Sequence, residues 1–159
     1  MASGRSVLAV SRTGAGFDPS SFEPRPGTYA LLLRSARRDS IQAGKLGILH
    51  LQPGWYVYVG SAHGSGGGRA RLAHHLRLAE RPHWHIDYLR LHAPVEAIWF
   101  TYSRRTLEHR WADAISLMTG AAAPLPGFGS SDCDCTTHLF FFARRPSAAA
   151  LRSALSVGL

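Results

Sequence analysis

The sequence predicts an α/β domain of the α+β type, in which a small, mixed but mostly antiparallel sheet is flanked by helices. Short aliphatic and aromatic runs bounded by glycine or proline are typical of strands, and Trp55–Val59 is the strongest of them. Between these runs lie segments whose apolar residues recur at helical spacing. The chain has 159 residues, which is long enough for one domain that buries a core without disulfides.

The first third of the chain contains the predicted strands. Residues 1–25 mix serine, glycine, arginine and proline without periodicity, which predicts a flexible N-terminal arm. Order is expected to begin with the aliphatic run Thr28–Arg34, the first predicted strand. Residues 41–51 contain two short strand candidates around Gly44–Gly47, and a Pro-Gly turn then precedes the central strand.

Beyond the central strand, helices alternate with strands. The glycine-rich loop Gly60–Gly68 leads into a helix predicted over residues 69–80, whose apolar stripe is Leu72, Leu76 and Ala79. The later pattern predicts a short helix or irregular segment at 83–91, a strand at 95–101, a helix at 106–118 and a strand at 138–143. The domain is therefore expected over residues 26–145, followed by a C-terminal tail, 146–159, whose pattern allows a terminal helix.

The chain is strongly basic, with 18 Lys or Arg against 10 Asp or Glu and a net charge of +8. Such a charge favours a polyanionic partner, nucleic acid before membrane. Lys45 is the only lysine, so the remaining basic residues are arginines. This bias reflects either codon composition or phosphate recognition, which suits the planar guanidinium. The excess positive charge falls within residues 1–110, which predicts one binding face.

Several locations and classes are not expected. No apolar run approaches the roughly 20 residues that span a bilayer, so no membrane partner is predicted. Residues 1–10 lack the charge and apolar length of a secretory signal. The only cysteines, Cys133 and Cys135, do not make the disulfide framework of a secreted protein. A cytoplasmic location is therefore expected.

Two tyrosines border the glycine-rich loop if their strands are neighbours. Tyr29 closes the tripeptide Gly27-Thr28-Tyr29, and Tyr58 opens Tyr58-Val59-Gly60 at the end of the central strand. Adjacent strands would bring both phenols to one end of the sheet. Taken singly, a tyrosine in a strand is more typical of packing than of chemistry.

The two helices add charged candidates. Arg71 and His75 lie four residues apart, on one helical face, where a guanidinium and an imidazole suit a phosphodiester. A solvated basic face is the alternative interpretation. Glu108 lies beside the apolar stripe of the second long helix, where a carboxylate can bind Mg²⁺. An ordinary surface glutamate is the alternative there.

Together these residues resemble the GIY-YIG nuclease superfamily, and most closely its small stand-alone Uri-type branch. The closer resemblance rests on five blocks in the right order: Gly44–Gly47, Pro53–Ala62, His83–Leu89, Gly127–Cys133 and His138–Phe140. It covers about residues 26–142. Thr28 and Val59 replace the middle isoleucines of the two tripeptides, and the interval between the tripeptides is longer than in many relatives.

The resemblance implies an endonuclease that hydrolyses phosphodiester bonds in DNA with one divalent metal, Mg²⁺ or Mn²⁺. Glu108 would hold the metal, and Arg71 would stabilise the charge of the transition state. Tyr29 would activate the attacking water and Tyr58 would orient it. Two further side chains, His75 and Lys45, would contact the phosphate or assist Tyr29.

The resemblance also implies DNA as the partner, with RNA as an alternative polyanion. The expected nucleic-acid contacts are Ser61, Arg69, Arg77 and His138. Many relatives use a late asparagine near the phosphate, but this chain contains no asparagine. Either one of Ser130, Ser131, Asp132 and His138 replaces it, or the contact is absent. Because no separate reader domain is evident, structure- or damage-directed cleavage in DNA repair or processing is expected.

Two alternatives compete with this interpretation. Cys133, Cys135 and His138, with His83 and His85, offer soft ligands, but their spacing is not a standard finger pattern. Zinc is therefore not expected, and this segment is expected to pack as a loop and edge strand. The second alternative is a non-catalytic nucleic-acid-binding module that retains the nuclease fold. The joint presence of a tyrosine, an arginine and a glutamate in the family positions favours the enzyme.

Overall fold

The computed structural model describes residues 6–77, 81–156 and 159. These residues form the strands β1 (Leu8–Ser11), β2 (Gly27–Ser35), β3 (Asp39–Gln42), β4 (Ile48–Leu51), β5 (Gly54–Ser61), β6 (Val95–Tyr102) and β7 (Leu139–Phe142). They also form the α-helices α1 (Gly67–Leu76), α2 (His85–Arg90), α3 (Glu108–Ser116) and α4 (Ala148–Leu155). Five strands make one antiparallel sheet in the order β1-β6-β2-β5-β7, and β3 pairs with β4 in a separate hairpin. The predicted α+β class is confirmed.

Strand β2 lies at the centre of the sheet and is buried on both faces. Its partners are β5 on one side and β6 on the other. Because alternate residues of a strand face opposite sides, Tyr29, Leu31 and Leu33 enter one core while Ala30 and Leu32 enter another. Burial of both faces explains why this strand is a continuous aliphatic run rather than an alternating one.

The sheet is the middle of three layers. On one face, α1, α2 and the β3–β4 hairpin contribute buried side chains that include Leu72, Ile86 and Leu49. On the other face, α3 and α4 contribute Trp111 and Leu151. Within the described part of the chain, no helix is long and apolar enough to cross a membrane.

The N-terminal segment is not the flexible arm that its composition predicts, at least over residues 6–25. Strand β1 pairs with the edge of β6, with Leu8 opposite Phe100. Phe22 is 2% exposed and packs against the Phe100 ring. Asp18 accepts a hydrogen bond from Ser20 N and caps a short 3-10 turn. The prediction was wrong because an edge strand of four residues, mostly exposed, leaves no periodic signal; residues 1–5 lie outside the described ranges.

The C-terminal segment belongs to the same domain. Helix α4 packs on α3 with Leu151 and Leu155 buried, and Ser147 caps it by accepting a hydrogen bond from Ala150 N. Arg152 also donates to the Val7 carbonyl oxygen at 3.1 Å. The terminal helix is therefore present, and the expected boundary at residue 145 cuts through the second core.

The remaining predicted elements agree with the structure to within a few residues. Helix α1 begins two residues earlier than predicted and is described to Leu76, while Ala79 and Glu80 lie outside the described residues. The ambiguous segment at 83–91 contains the short helix α2. The two strand candidates at 41–51 form the β3–β4 hairpin, with Gly44–Leu46 as a 3-10 turn between them.

Candidate active site

The antiparallel pairing of β2 with β5 brings the two predicted tyrosines together. Tyr29 lies opposite Gly60, and Tyr58 lies opposite Leu31. The tyrosine rings are both buried, with centroids 6.4 Å apart. Gly60 must lack a side chain, since a Cβ there would collide with the Tyr29 phenol. The expected meeting of both phenols at one end of the sheet is confirmed.

Glycines at the end of the loop allow α1 to approach the core closely. A Cβ on Gly68 would lie 2.6 Å from the Phe100 ring, which is closer than packed atoms come. Gly67 has φ +56°, and its Cβ would collide with the Arg25 backbone. Arg69 Nε adds a bond of 2.7 Å to the Phe22 carbonyl oxygen. These contacts fix the start of α1, and with it the side chains that the helix presents to the sheet.

His75 on α1 is hydrogen-bonded to Tyr29. The Tyr29 hydroxyl and His75 Nε2 lie 2.5 Å apart, and His75 is 2% exposed. Burial, with the nearby charges of Arg90 and His74, lowers the pKa of His75 to about 3. Burial also raises the pKa of Tyr29 well above its ordinary value. Both groups are therefore neutral at rest, and the proton of the bond can lie on either one.

Arg71, one turn before His75, lies over an aromatic ring. Its guanidinium carbon is 4.3 Å from the centroid of Trp84, a cation–π distance. The charge of Arg71 lowers the pKa of Tyr29 in part, against the larger effect of burial. A cavity of about 210 Å³ opens beside it, lined by Gly64, Ser65, Gly67, Ala70, Arg71, His74 and Trp84. A guanidinium beside a glycine-rich loop can receive a phosphate group there.

A buried carboxylate, Asp87, holds the Trp84 segment in place. It accepts hydrogen bonds of 2.9 Å from the backbone N–H groups of His83 and Trp84, and it contacts His74 Nε2 at 3.1 Å and Arg90 at 3.4 Å. Burial alone would raise the pKa of Asp87, but these hydrogen bonds and His74 lower it below its ordinary value. Asp87 is thus the centre of a polar network under Trp84 that includes His74, a residue that the sequence analysis did not single out.

Glu108 is the first residue of α3 and is half-buried. The helix start is tied to β2, because Leu107 N donates to Thr28 Oγ1 at 3.2 Å. Thr28, the neighbour of Tyr29 in β2, thus anchors the start of α3. Burial raises the pKa of Glu108, and the charges of His109, His63 and Arg71 oppose that rise. Arg71 is therefore close enough to act on this carboxylate.

The surroundings of Glu108 fit a hard divalent cation. Among the described residues no hydrogen bond reaches its carboxylate, and the His109 ring lies beside it with Nε2 at 4.0 Å. Magnesium takes one or two carboxylates and completes its shell with water and substrate phosphate. Nearby, His63 Nε2 is buried without a hydrogen-bond partner in the described part of the chain. The sequence analysis did not single out His63, although the concentration of histidines in residues 61–110 is a signal for it.

The other predicted site residues are placed differently. Lys45 is exposed in the 3-10 turn, and the described contacts include no hydrogen bond or ion pair of its ammonium. Ser61 ends β5 opposite Thr28, beside the site. Arg77, just after α1, is exposed and available to a ligand. His138, expected at the nucleic acid, is instead 2% exposed and faces a cysteine, because the loop before β7 folds over it.

Two of the residues proposed to replace the late asparagine can be compared directly. Ser130 is 4% exposed, and its Oγ is buried without a partner in the described ranges. Asp132 is exposed, and its charge raises the pKa of Glu108, so it lies on the same side of the molecule. Asp132 is thus the better placed of the two to act on a ligand of Glu108.

The family of the chain follows from a match to a family model. The model describes a domain of unknown function, DUF123, and matches residues 28–157. That range is most of the chain, so the protein belongs to this family. No curated protein and no solved structure is significantly similar to the chain. The matched range includes the tyrosine pair, α1, α3 and α4, in agreement with one domain that extends past residue 145.

Proposed function

We propose that this protein is a metal-dependent endonuclease that hydrolyses phosphodiester bonds in DNA. The observation that carries the proposal is the buried hydrogen bond between Tyr29 and His75. It lies beside a second phenol, Tyr58, and within the electrostatic influence of Arg71 and Glu108. Aromatic side chains that only pack rarely need such a combination of neutral proton carriers and opposite charges.

The Tyr29–His75 pair supplies a route for the proton of the attacking water. When Nδ1 of His75, which has no hydrogen-bond partner among the described residues, carries the ring proton, the phenol donates to Nε2. The phenol oxygen then keeps a lone pair that would accept from an attacking water. The proton of Tyr29 then passes to the imidazole as the phenol oxygen takes one from water. Charging His75 costs free energy in this buried position, and the positive charge of Arg71 adds to that cost, although it lowers the pKa of Tyr29.

Arg71 is the group that would stabilise the negative charge of the transition state. Its stacking on Trp84 holds the guanidinium in place before substrate binds, which removes an ordering cost at the moment of reaction. Asp87 in turn fixes the backbone of the Trp84 segment. A phosphate in the cavity beside the glycine-rich loop would lie against this guanidinium.

Glu108 would hold Mg²⁺ or Mn²⁺. When bound, the metal supplies positive charge to a non-bridging oxygen and to the leaving oxygen of the phosphodiester. The uncommitted carboxylate oxygens and the position of Glu108 at the start of α3 support this assignment. Thr28 contributes by orienting the helix through Leu107 N.

The basic charge of the chain supports a nucleic-acid substrate. A net charge of +8 favours backbone contacts that carry little sequence information and weaken with salt. We therefore propose substrates defined by structure or damage, as in DNA repair or processing, with RNA as the alternative strand. A second candidate function, a binding module without catalysis, is favoured by one observation. Burial holds both Tyr29 and His75 neutral, which would also suit a structural pair.

The test is cleavage of nicked, branched and single-stranded DNA, and of RNA of matching sequence, with Mg²⁺, Mn²⁺ or EDTA. We expect metal-dependent cleavage that is lost in Glu108→Ala while nucleic-acid binding is retained. Glu96→Ala is the matched control, since Glu96 lies on β6 and is ion-paired with Arg12, away from the tyrosine pair. Cleavage in EDTA, or full activity of Glu108→Ala, would contradict the proposed metal role. Binding without cleavage of any substrate by the wild-type protein would support the module.

A further inference from the structure

A second cluster of ionisable side chains lies on the far side of His109 from Glu108. It contains two thiols and two imidazoles: His109 of α3, Cys133 and Cys135 of the loop before β7, and His138 at the end of that loop. One ligand atom from each residue lies within 4.8 Å of all the others. His109 Nδ1 is 3.3 Å from Cys135 Sγ, and Cys133 Sγ is 3.5 Å from His138 Nε2.

These separations are close to those of a tetrahedral zinc site. Zinc bonds of about 2.3 Å to sulfur and about 2.0 Å to nitrogen place the ligand atoms roughly 3.3–3.8 Å apart. Two of the six ligand pairs have this spacing, and the other four pairs lie within 4.8 Å. Two thiolates and two imidazoles are a donor set that selects zinc over magnesium or calcium.

We propose that His109, Cys133, Cys135 and His138 bind one zinc ion as a structural Cys₂His₂ site. The ion would join the loop before β7 to the first turn of α3, two segments that the described hydrogen bonds connect only through this cluster. It is separate from the Mg²⁺ or Mn²⁺ assigned to Glu108, and it does not depend on nuclease activity.

The surroundings of the cluster fit a bound cation. A cavity of about 370 Å³ reaches it from the surface, and Asp113 and Asp134 line this cavity together with three of the four ligands. Negative charge at the entrance attracts a metal ion. On the other side of the His109 ring, Nε2 faces the Glu108 carboxylate at 4.0 Å. Histidines that bind metals commonly donate their second N–H to a carboxylate, which orients the ring.

The cluster also corrects the ligand set considered from the sequence. His85 Nδ1 accepts a hydrogen bond of 3.0 Å from Gly129 N, and its ring packs against Phe128. His83 contributes its backbone N–H to Asp87. Neither histidine belongs to the cluster as described, and His109 takes their place. No spacing rule could find it, since His109 lies on a different element, 26 residues before Cys135.

The first experiment measures metal in the full chain, purified without a histidine tag and under reducing conditions. We expect about one zinc per chain by elemental analysis, because the four ligands converge on one point. After removal of zinc, addition of Co²⁺ should produce the absorption of a cobalt–thiolate bond with tetrahedral ligand-field bands. Zinc should also raise the melting temperature of the apo protein.

Single substitutions test which side chains bind the zinc ion. His109 is exposed, so His109→Asn should leave the fold intact while it weakens zinc binding by at least about tenfold and alters the cobalt spectrum. Cys133→Ser and Cys135→Ser should each weaken zinc binding and reduce the cobalt–thiolate absorption, since one of the two thiolates remains. The matched control is His83→Asn, an exposed histidine outside the cluster, which should bind zinc as the wild type does.

Three results would overturn the proposal. The first is a folded wild-type chain that contains no zinc and gives no cobalt–thiolate band. The second is equal zinc binding by His109→Asn and the wild type. The third is a Cys133–Cys135 disulfide that persists under the reducing conditions. Circular dichroism of the apo protein separates a failure to fold from a failure to bind. Cleavage is not among the readouts, so failure of the nuclease proposal would leave this test intact.

Discussion

The most informative single residue is Tyr29, because its ring is buried in the core while its hydroxyl group requires a polar partner. Its ring lies in the core at 1% exposure, and its hydroxyl needs a partner there. His75 provides that partner at 2.5 Å. Sequence analysis could nominate Tyr29, Arg71, His75 and Glu108, but the bond between phenol and imidazole depends on how closely α1 approaches β2.

For this single residue we predict that Tyr29→Phe strongly reduces cleavage and leaves the fold intact. The substitution removes only the hydroxyl, so the expected loss is roughly 10²–10⁴-fold in kcat, the usual contribution of a proton-transfer group. Tyr56→Phe is the matched control, since Tyr56 is equally buried in β5 and its hydroxyl accepts from Gln52 N away from the site. Single-turnover cleavage and circular dichroism check both. Equal activity of the two variants would remove Tyr29 from the mechanism.

Among the helices and strands, α1 contributes the most side chains to the proposed active site. Its start is tied to the chain before β2 through Gly67 and Gly68, whereas its end presents His75 to the sheet. The helix itself is only weakly amphipathic in sequence, since glycines and basic residues fill its first turns. Its position therefore comes from tertiary contacts rather than from helix propensity.

The close approach of α1 leads to a second prediction. Gly68→Ala places a Cβ 2.6 Å from the Phe100 ring, so we expect a loss of about 1–3 kcal/mol in unfolding free energy, as in an overpacked core. Because His75 would move with the helix, cleavage should fall as well. Gly14→Ala is the control, since a Cβ there meets nothing within 4 Å. Urea denaturation measures both variants. Unchanged stability of Gly68→Ala would show that the ring has room to move.

At the scale of the whole molecule, two buried titratable groups stabilise the folded state in only one of their protonation states. His75 is buried neutral, and Asp87 is buried as a hydrogen-bonded carboxylate. In both cases the folded-state pKa lies below the ordinary value. The unfolded chain therefore binds more protons than the folded chain as the pH falls, which makes acid destabilising.

We predict that stability is highest above pH 6.5 and declines as the pH falls from 6.5 towards 3. His75 in the unfolded chain binds its proton near 6.5, whereas the folded chain resists it down to about 3. One proton gives a slope of up to about 1.4 kcal/mol per pH unit. His75→Gln, which cannot titrate there, should show a smaller slope in urea denaturation at several pH values. Identical slopes in the two proteins would mean that His75 is not neutral in the folded state.

By itself, the sequence determined most of the elements and most of the site candidates. Aliphatic runs identified β2, β5 and β6, and helical spacing identified α3, because periodicity is a local property that survives without tertiary structure. The tyrosine pair was also predictable. Adjacent strands place the ends of Gly27-Thr28-Tyr29 and Tyr58-Val59-Gly60 side by side.

Only the tertiary structure decided how distant segments meet. Strand β1 exists because the edge of β6 offers unpaired backbone groups, which its own sequence does not reveal. Thr28 anchors α3, and His109 joins a cysteine loop, through contacts between residues far apart in the chain. Such convergence depends on packing of helices on both faces of the sheet. Local pattern therefore identified the residues of the proposed active site, while long-range packing assembled the proposed zinc site.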